Sequence, residues 1–409
     1  MAIKYLRTAN INNKIVLLRA SLDAPVSDKT GLVSDNFRLL SALPSIHTLQ
    51  DNGNTVIICG KRGRPEGDFT KTLSLEPVAK ELAKLLNLQL LITNKEIKSG
   101  HDKVLVFFTG DIRETANRKF LMELPLGSLV LLENLEFYSE ELANSMAFGK
   151  QLATLADAYV DDDFSKCHHA SSSTVSVAKN ISAFAGLQLE KEILDLNRVL
   201  ERPKLPFVLL MGGIKISDKA KTLQNLGKKA DMILLAGGLA NLFFLSRGYE
   251  IGKSKAENNS VKLAFQMDKN FKGKLFLPVD VVVANIKMER NSIRTCPPHE
   301  VKKNELILDV GPKTILLYAG MVKKAKTVVW NGPLGHFEIN PFHHGTISLA
   351  RIVGAVSKGK CFGVVGGGET VDAVRQAGQD EYIDHLSTGG GAMLEFLAGS
   401  KLPGVEVLK

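Results

Sequence analysis

Phe207-Val208-Leu209-Leu210-Met211-Gly212-Gly213-Ile214-Lys215-Ile216-Ser217-Asp218-Lys219 opens with five apolar residues, stops on a pair of glycines and continues into a segment with two lysines four residues apart. An unbroken apolar run of that length, without polar alternation, fits a parallel strand buried on both faces. Open α/β sheets bind ligands beyond the carboxyl ends of their strands, and glycine there lets backbone N–H groups close on a ligand. The construction recurs: Gly237-Gly238 follow the run 232–235 and Ala236, Gly332 follows 327–330 and Asn331, and Gly366-Gly367-Gly368 follow 361–365. One such loop says little, because strand-to-helix turns use glycine for geometry alone. Four in one half of the chain point to a nucleotide, whose phosphates take N–H donors and the positive end of a following helix. If a helix has begun by Lys215, Lys215 and Lys219 share a face and two cations reach phosphate oxygens; a solvated helix face is the other reading.

Working outward, runs at 15–18, 56–58, 104–108 and 129–132 in the first half read as the same kind of strand. Residues 74–86 between them carry apolar positions at helical spacing, behind a serine placed to cap the helix. In the second half, runs at 207–211, 232–235, 275–283, 327–330 and 361–365 alternate with helix-like stretches. Strand and helix alternating in this way predict α/β architecture. Residues 187–200 read as one charged amphipathic helix ended by Pro203, and this is taken as the linker. A chain of 409 residues also exceeds the roughly 250–300 at which single cores stop growing. Residues 94–116, polar around one strand, read as a local insertion.

The totals exclude several classes. With 44% hydrophobic and 23% charged residues the chain is neither disordered nor fibrous. Cys59, Cys167, Cys296 and Cys361 stand far apart with no C-x-x-C pair, which argues against zinc and against a disulfide framework. No basic amino-terminal run leads into an apolar stretch and no segment approaches about 18 apolar residues, so a cytoplasmic protein without a membrane partner is expected. The net charge of +9 suits a small phosphorylated substrate. Basic residues are spread thinly, the densest run being Lys61-Arg62-Gly63-Arg64, and no nucleic-acid module accompanies them, so no nucleic-acid partner is expected. The absence of a P-loop, a protein-kinase motif set and an opening Gly-x-Gly-x-x-Gly sets aside the commonest nucleotide folds. Asp161-Asp162-Asp163 reads as an exposed acidic turn rather than a metal site.

These motifs together resemble the phosphoglycerate kinase family along nearly the whole chain. Gly212 to Lys219 is similar to that family's Gly-Gly-Ala-Lys-Val-Ser-Asp-Lys. Leu277-Pro278-Val279-Asp280-Val281-Val282-Val283-Ala284, Asp309-Val310-Gly311-Pro312, Val328-Val329-Trp330-Asn331-Gly332-Pro333-Leu334-Gly335 and Ser387-Thr388-Gly389-Gly390-Gly391-Ala392 resemble its other signatures, in order. The resemblance implies two doubly wound, Rossmann-like parallel-sheet domains joined by a linker helix and a hinge. The substrate domain is 1–186, completed by 394–409; the linker is 187–202; the nucleotide domain is 203–393. It implies ATP or ADP with Mg²⁺ on the second domain, closure onto a phosphorylated acid held by the first, and a monomer. By motif, Lys215, Arg38 and the helix amino terminus at Gly391 serve catalysis, with Gly389-Gly390-Gly391 doubling as a hinge. Gly213, Lys219, Gly237, Gly238, Asn331, Gly335, Glu338, Gly367, Gly368 and Thr370 take the nucleotide, Glu338 through the ribose hydroxyls, and Glu369 takes the metal. Phosphoryl transfer spreads charge over three oxygens, so cations and positioned N–H donors are what the reaction needs.

The first half departs from the family pattern. Arg-Val-Asp-Phe-Asn-Val-Pro appears as Arg19-Ala20-Ser21-Leu22-Asp23-Ala24-Pro25, and Ser-His-Leu-Gly-Arg-Pro as Gly60-Lys61-Arg62-Gly63-Arg64-Pro65. Leu-Glu-Asn-Leu-Arg-Phe appears as Leu132-Glu133-Asn134-Leu135-Glu136-Phe137, and His169 aligns with the Arg of Ala-His-Arg-Ala. The substrate set is therefore Ser21, Asp23, Arg38, Lys61, Arg64 and His169. Glu136 stands where the family anchors the substrate's phosphate. At an effective dielectric of about 20 and roughly 6 Å, turning attraction into repulsion costs about 5 kcal/mol, several thousand-fold in affinity. Lys61, Arg62 and a protonated His168 or His169 are the expected compensators. Three functions follow: a glycolytic kinase acting on 3-phosphoglycerate and 1,3-bisphosphoglycerate, a related kinase for another acid, or an ATP-binding protein with little turnover.

Overall fold

Short β-branched and leucine-rich runs, most of them followed by a helical segment, form two parallel sheets with helices packed on them, as the alternation requires. The structure, a computed structural model, describes residues 2–94 and 103–409. Residues 95–102, within the expected insertion, lie outside the described residues. The chain divides into one unit of Met1–Ile193 with Lys401–Lys409 and a second of Leu194–Ser400.

The first unit holds β1 (Ile15–Arg19), β2 (Thr55–Cys59), β3 (Gln89–Thr93), β4 (Val104–Phe108), β5 (Leu129–Leu132), β6 (Ala158–Asp161) and β7 (Ala183–Ala185). They form one seven-stranded sheet in the order β3-β4-β5-β2-β1-β6-β7. Its pairings are parallel, for example Val16 opposite Val56 and Leu17 opposite Tyr159. Val16, Leu18, Val56, Ile58, Leu105, Phe107, Leu129, Leu131 and Val160 make a core closed to solvent. The carboxyl tail joins this unit: Gly404 N donates to Cys167 O at 2.9 Å, and Lys4 N to Leu408 O at 3.5 Å.

The second unit adds β8 (Phe207–Met211), β9 (Met232–Leu235), β10 (Leu275–Phe276), β11 (Val281–Asn285), β12 (Arg294–Cys296), β13 (Glu305–Val310), β14 (Thr327–Asn331), β15 (Phe362–Gly366) and β16 (His385–Leu386). Six of them form a sheet ordered β10-β9-β8-β14-β15-β16, and β12-β11-β13 form a smaller antiparallel sheet. The single run expected at 275–283 is thus two strands of two sheets, because Leu277-Pro278-Val279-Asp280 breaks the ladder between them; Pro278 has no N–H to give it. The tail reading at 394 also shifts. The helix Gly390–Leu397 stays with the second unit, where Thr222 Oγ1 donates to Leu394 O at 2.6 Å and Asn225 Nδ2 to Leu397 O at 2.7 Å.

Two local expectations change. The helix begins at Glu76 instead of just after Ser74, yet the Ser74 hydroxyl still accepts from Glu76 N at 3.1 Å while donating to Glu133 Oε2 at 2.7 Å. Asp161, Asp162 and Asp163 are buried, not an exposed turn. Each has a task inside: Asp161 Oδ1 accepts from Asp163 N at 3.1 Å, Asp162 Oδ1 accepts from Leu189 N at 3.0 Å in the first turn of the helix Leu187–Glu201, and Asp163 pairs with Arg19. No helix among the described residues is long and apolar enough to cross a membrane, and all four cysteines are free and buried.

Candidate active site

In the second unit β8 starts the sheet in its middle. The chain then moves to β9 and β10 on one side, and to β14, β15 and β16 on the other. The crevice between the carboxyl ends of β8 and β14 is therefore the topological switch point, where such sheets take ligands. Gly212 follows β8, and Gly332 follows β14. Gly212 N donates to Asn331 O at 2.9 Å and Gly213 N to Pro333 O at 3.0 Å, so the two loops are laced together. Gly332 has φ +92°, and a Cβ there would overlap the Gly212 carbonyl; one at Gly212 would overlap Pro333 O. Only glycine permits this approach.

The other glycine loops join the same crevice. The Cβ of any larger residue at Gly237 would stand 3.2 Å from both Gly213 N and Pro333 O, at Gly238 3.0 Å from Ile214 Cα, and at Gly390 2.8 Å from Gly367 Cα. Gly368 meets nothing within 4 Å. The helices Gly237–Ser246, Gly368–Gln376 and Gly390–Leu397, the last containing Gly391, begin here without a side-chain cap. Their first N–H groups lack intrahelical acceptors, and three such ends aimed at one place favour an anion.

The helix after β8 begins only at Ala220, so Lys215 and Lys219 do not share a helical face; both lie in the preceding loop. That loop brings Lys219 back over the glycines, its Nζ within 3.3 Å of the place a Gly213 Cβ would take. Burial lowers the pKa of the Lys219 ammonium, opposed by the negative charges of Asp218 and Glu369. Lys215 is exposed, and Glu257 Oε2 fixes its loop by accepting from Ser217 N at 3.0 Å. The Glu257 carboxyl is held below its usual range, first by that backbone bond and also by the charge of Lys215. Nothing in the sequence marked Glu257, which lies 40 residues from Ser217.

Asn331 and Thr370 act on the loops themselves: Asn331 Nδ2 donates to Gly366 O at 2.9 Å, and Thr370 Oγ1 accepts from Gly332 N at 2.7 Å. Gly335 packs on Asp309, whose carboxylate also accepts from Gly345 N at 2.8 Å; burial raises its pKa to about 7 against those N–H donors. Glu338 is exposed, with His336 Nε2 3.9 Å from its Oε2. Glu369 is exposed in the first turn of its helix. Among the described residues no group of three or more His, Cys, Asp or Glu could hold a metal alone. A hard Mg²⁺ suits one carboxylate plus phosphate oxygens and waters, so Glu369 beside the Lys219 loop fits it.

In the first unit the expected substrate residues follow β1, β2 and β6 or lie on the helix Phe37–Asp51, and direct contacts join Asp23, Arg38 and Lys61. Asp23 is the hub: Lys61 Nζ bonds its Oδ2, Gly63 N donates to its Oδ1 at 2.9 Å, and Arg38 Nη1 lies 3.4 Å from Oδ2 and donates to its backbone oxygen at 3.0 Å. Burial pushes the Asp23 carboxyl up, but Lys61, Gly63 and Arg38 outweigh it and hold it below its ordinary range. Ser21 is buried with its hydroxyl unpartnered, and Arg64 is exposed.

Three of the expected compensators of Glu136, Lys61, Arg62 and His168, are engaged elsewhere or uncharged. Lys61 serves Asp23, and Arg62 Nη1 donates to Thr72 O at 2.7 Å and Ser74 O at 3.1 Å. His168 packs against exposed His169 with ring centroids 3.9 Å apart and planes tilted by 41°; burial and the neighbouring His169 and Lys166 push its pKa down to about 4, so it is neutral at pH 7. The cation on Glu136 is instead Lys166, with Nζ to Oε1 2.5 Å. The two lie 30 residues apart, and no local pattern joins them.

A family model described as phosphoglycerate kinase matches residues 6–400. The phosphoglycerate kinase of Moorella thermoacetica is 41% identical over 417 residues, covering 100% of this chain and 99% of that protein. That of Dictyoglomus turgidum is 41% identical over 411 residues, covering 99% of this chain and 98% of its own. Among solved structures, phosphoglycerate kinase from Coxiella burnetii superposes with a TM-score of 0.82 at 36% identity, covering 100% of this chain and 99% of that one. The enzyme from Pyrococcus horikoshii OT3 gives 0.84 at 28% identity, covering 99% and 98%. With two parallel sheets, laced glycine loops and these relatives over its full length, the chain belongs to the phosphoglycerate kinase family.

Proposed function

We propose that this protein is a glycolytic phosphoglycerate kinase, moving a phosphoryl group reversibly between ATP and the carboxylate of 3-phosphoglycerate. The observation that carries the reading is the convergence of the Gly212, Gly237, Gly332 and Gly367 loops, with Lys219, on the switch point of the second sheet. In the direction of ATP use, a carboxylate oxygen of the acid attacks the γ-phosphorus while the bond to the β–γ bridging oxygen breaks, leaving ADP and the acyl phosphate. Backbone N–H groups at Gly213, Gly237, Gly238, Gly367 and Gly368 take phosphate oxygens, and Lys219 adds a point charge. Lys215, exposed and held by its Glu257-anchored loop, stabilises the transferring group, with the N–H groups near Gly391 as further donors. Asn331 and Thr370 hold the loops in register, and Glu338 receives the ribose.

Mg²⁺, held by Glu369, supplies charge neutralisation on the phosphates when bound. On the first unit, Arg38, Lys61 and Arg64 orient the acid, with Ser21, Asp23 and His169 around it. A cytoplasmic monomer is part of the same reading. A coupled assay with Mg-ATP and 3-phosphoglycerate tests it: turnover at roughly 1–100 s⁻¹ or above supports the assignment. ATP binding without turnover, or turnover only with another acid, sinks it.

A further inference from the structure

The sheet order puts β2 and β1 between β5 and β6. Glu136 lies on the turn Leu135–Phe137 after β5, and Lys166 on the turn Phe164–Lys166 after β6. Their ion pair therefore spans the carboxyl ends of β1 and β2, which carry Ser21, Asp23 and Lys61. Glu136 is the sunken partner, its side chain 6% exposed, whereas Lys166 keeps 22%. Glu136 is also fixed from its own turn, where Asn134 Oδ1 accepts from Glu136 N at 3.0 Å. An ammonium carries three N–H donors, and Glu136 occupies one. Of the neighbouring cations, Lys61 and Arg38 are shared with the Asp23 carboxylate, Arg62 faces two carbonyls, and Arg64 is exposed. His168 cannot help while it is neutral.

We infer that Lys166 is a further cation that, beside Arg38, Lys61 and Arg64, receives the anionic group of the acid substrate in this chain, and that Glu136 is a positioning residue tethering Lys166 over the ends of β1 and β2. The charge reversed at Glu136 is thus replaced by a cation reaching in from the turn after β6, beyond β2 and β1. The inference rests on the kinase reading above and goes beyond it by naming a residue that no motif marks.

The test measures kcat and the KM values for 3-phosphoglycerate and ATP in the full chain, with melting curves to verify folding. Lys166→Met alone leaves Glu136 buried and unpaired, so the informative variants are the isosteric pair Lys166→Met/Glu136→Gln and the transfer pair Lys166→Met/Glu136→Arg. The first is expected to raise the KM for 3-phosphoglycerate roughly 10- to 100-fold, the factor that one unit charge at roughly 6 Å carries at an effective dielectric of about 20, with the ATP KM unchanged. The second, with its cation supplied from position 136, is expected to recover most of that loss. An unchanged KM in the folded first pair, or no recovery in the folded second, overturns the inference. If wild type shows no turnover, the kinase reading fails by itself; calorimetry with 3-phosphoglycerate then decides on Lys166. Weaker binding by the first pair than by wild type supports its role, and equal or undetectable binding by both overturns it.

Discussion

Arg19 Nη1 donates to Asp163 Oδ2 at 3.0 Å with both side chains withdrawn from solvent. Burial works against the guanidinium charge, but Asp163 and the surrounding carboxylates sustain it. Removing one partner of such a pair leaves an uncompensated buried charge. Asp163→Ala is expected to cost about 3–5 kcal/mol, read as a lower urea midpoint. A midpoint within error of wild type would show that Arg19 finds its counter-charge elsewhere.

Asp161 makes stability depend on pH. Burial pushes its carboxyl up from the ordinary aspartate value of 3.8 to about 8, despite the opposing charge of Arg19. Between those values the native chain keeps a proton that the unfolded chain releases, so this contribution is complete below about 4 and is lost as pH rises through about 8. Asp161→Asn is expected to flatten the fall in urea midpoint between pH 5 and 8. An identical slope in the variant would assign the proton to another group.

Gly332 permits the contact between the β8 and β14 loops. At φ +92° and against the Gly212 carbonyl, an added methyl forces the backbone apart. Gly332→Ala is expected to cost about 1–3 kcal/mol in stability and to weaken ATP binding by at least about tenfold in calorimetry. Unchanged affinity would show that the nucleotide does not depend on this lacing.

Lys215 and Lys219 are expected to separate kinetically. Lys215→Ala is expected to lower kcat by roughly 10²–10³ with little change in the ATP KM, the signature of an interaction made in the transition state. Lys219 is tucked against Gly213 and is the proposed ground-state phosphate contact, so Lys219→Ala is expected to act mainly through the ATP KM. The opposite split between the two variants would exchange their roles.

The sequence by itself determined the alternating α/β architecture and the glycine-ended strands of the second unit. Apolar runs ending in glycine, repeated in order, have essentially one packing solution, and the glycines that lace Gly212 to Gly332 are legible because no other residue tolerates that geometry. It could not tell that 275–283 divides between two sheets, since an apolar run looks alike in either, nor that Asp161-Asp162-Asp163 turns inward, since burial is set by neighbours such as Arg19 and the helix at Leu187. The first-half site was the least legible. Single-residue comparison exposes the changed charge at Glu136 but not Lys166, because their meeting depends on which strands lie between β5 and β6. Local pattern fixes what a segment can form; only the folded chain fixes which charges face each other, because electrostatic energy depends on distance in space and not along the chain.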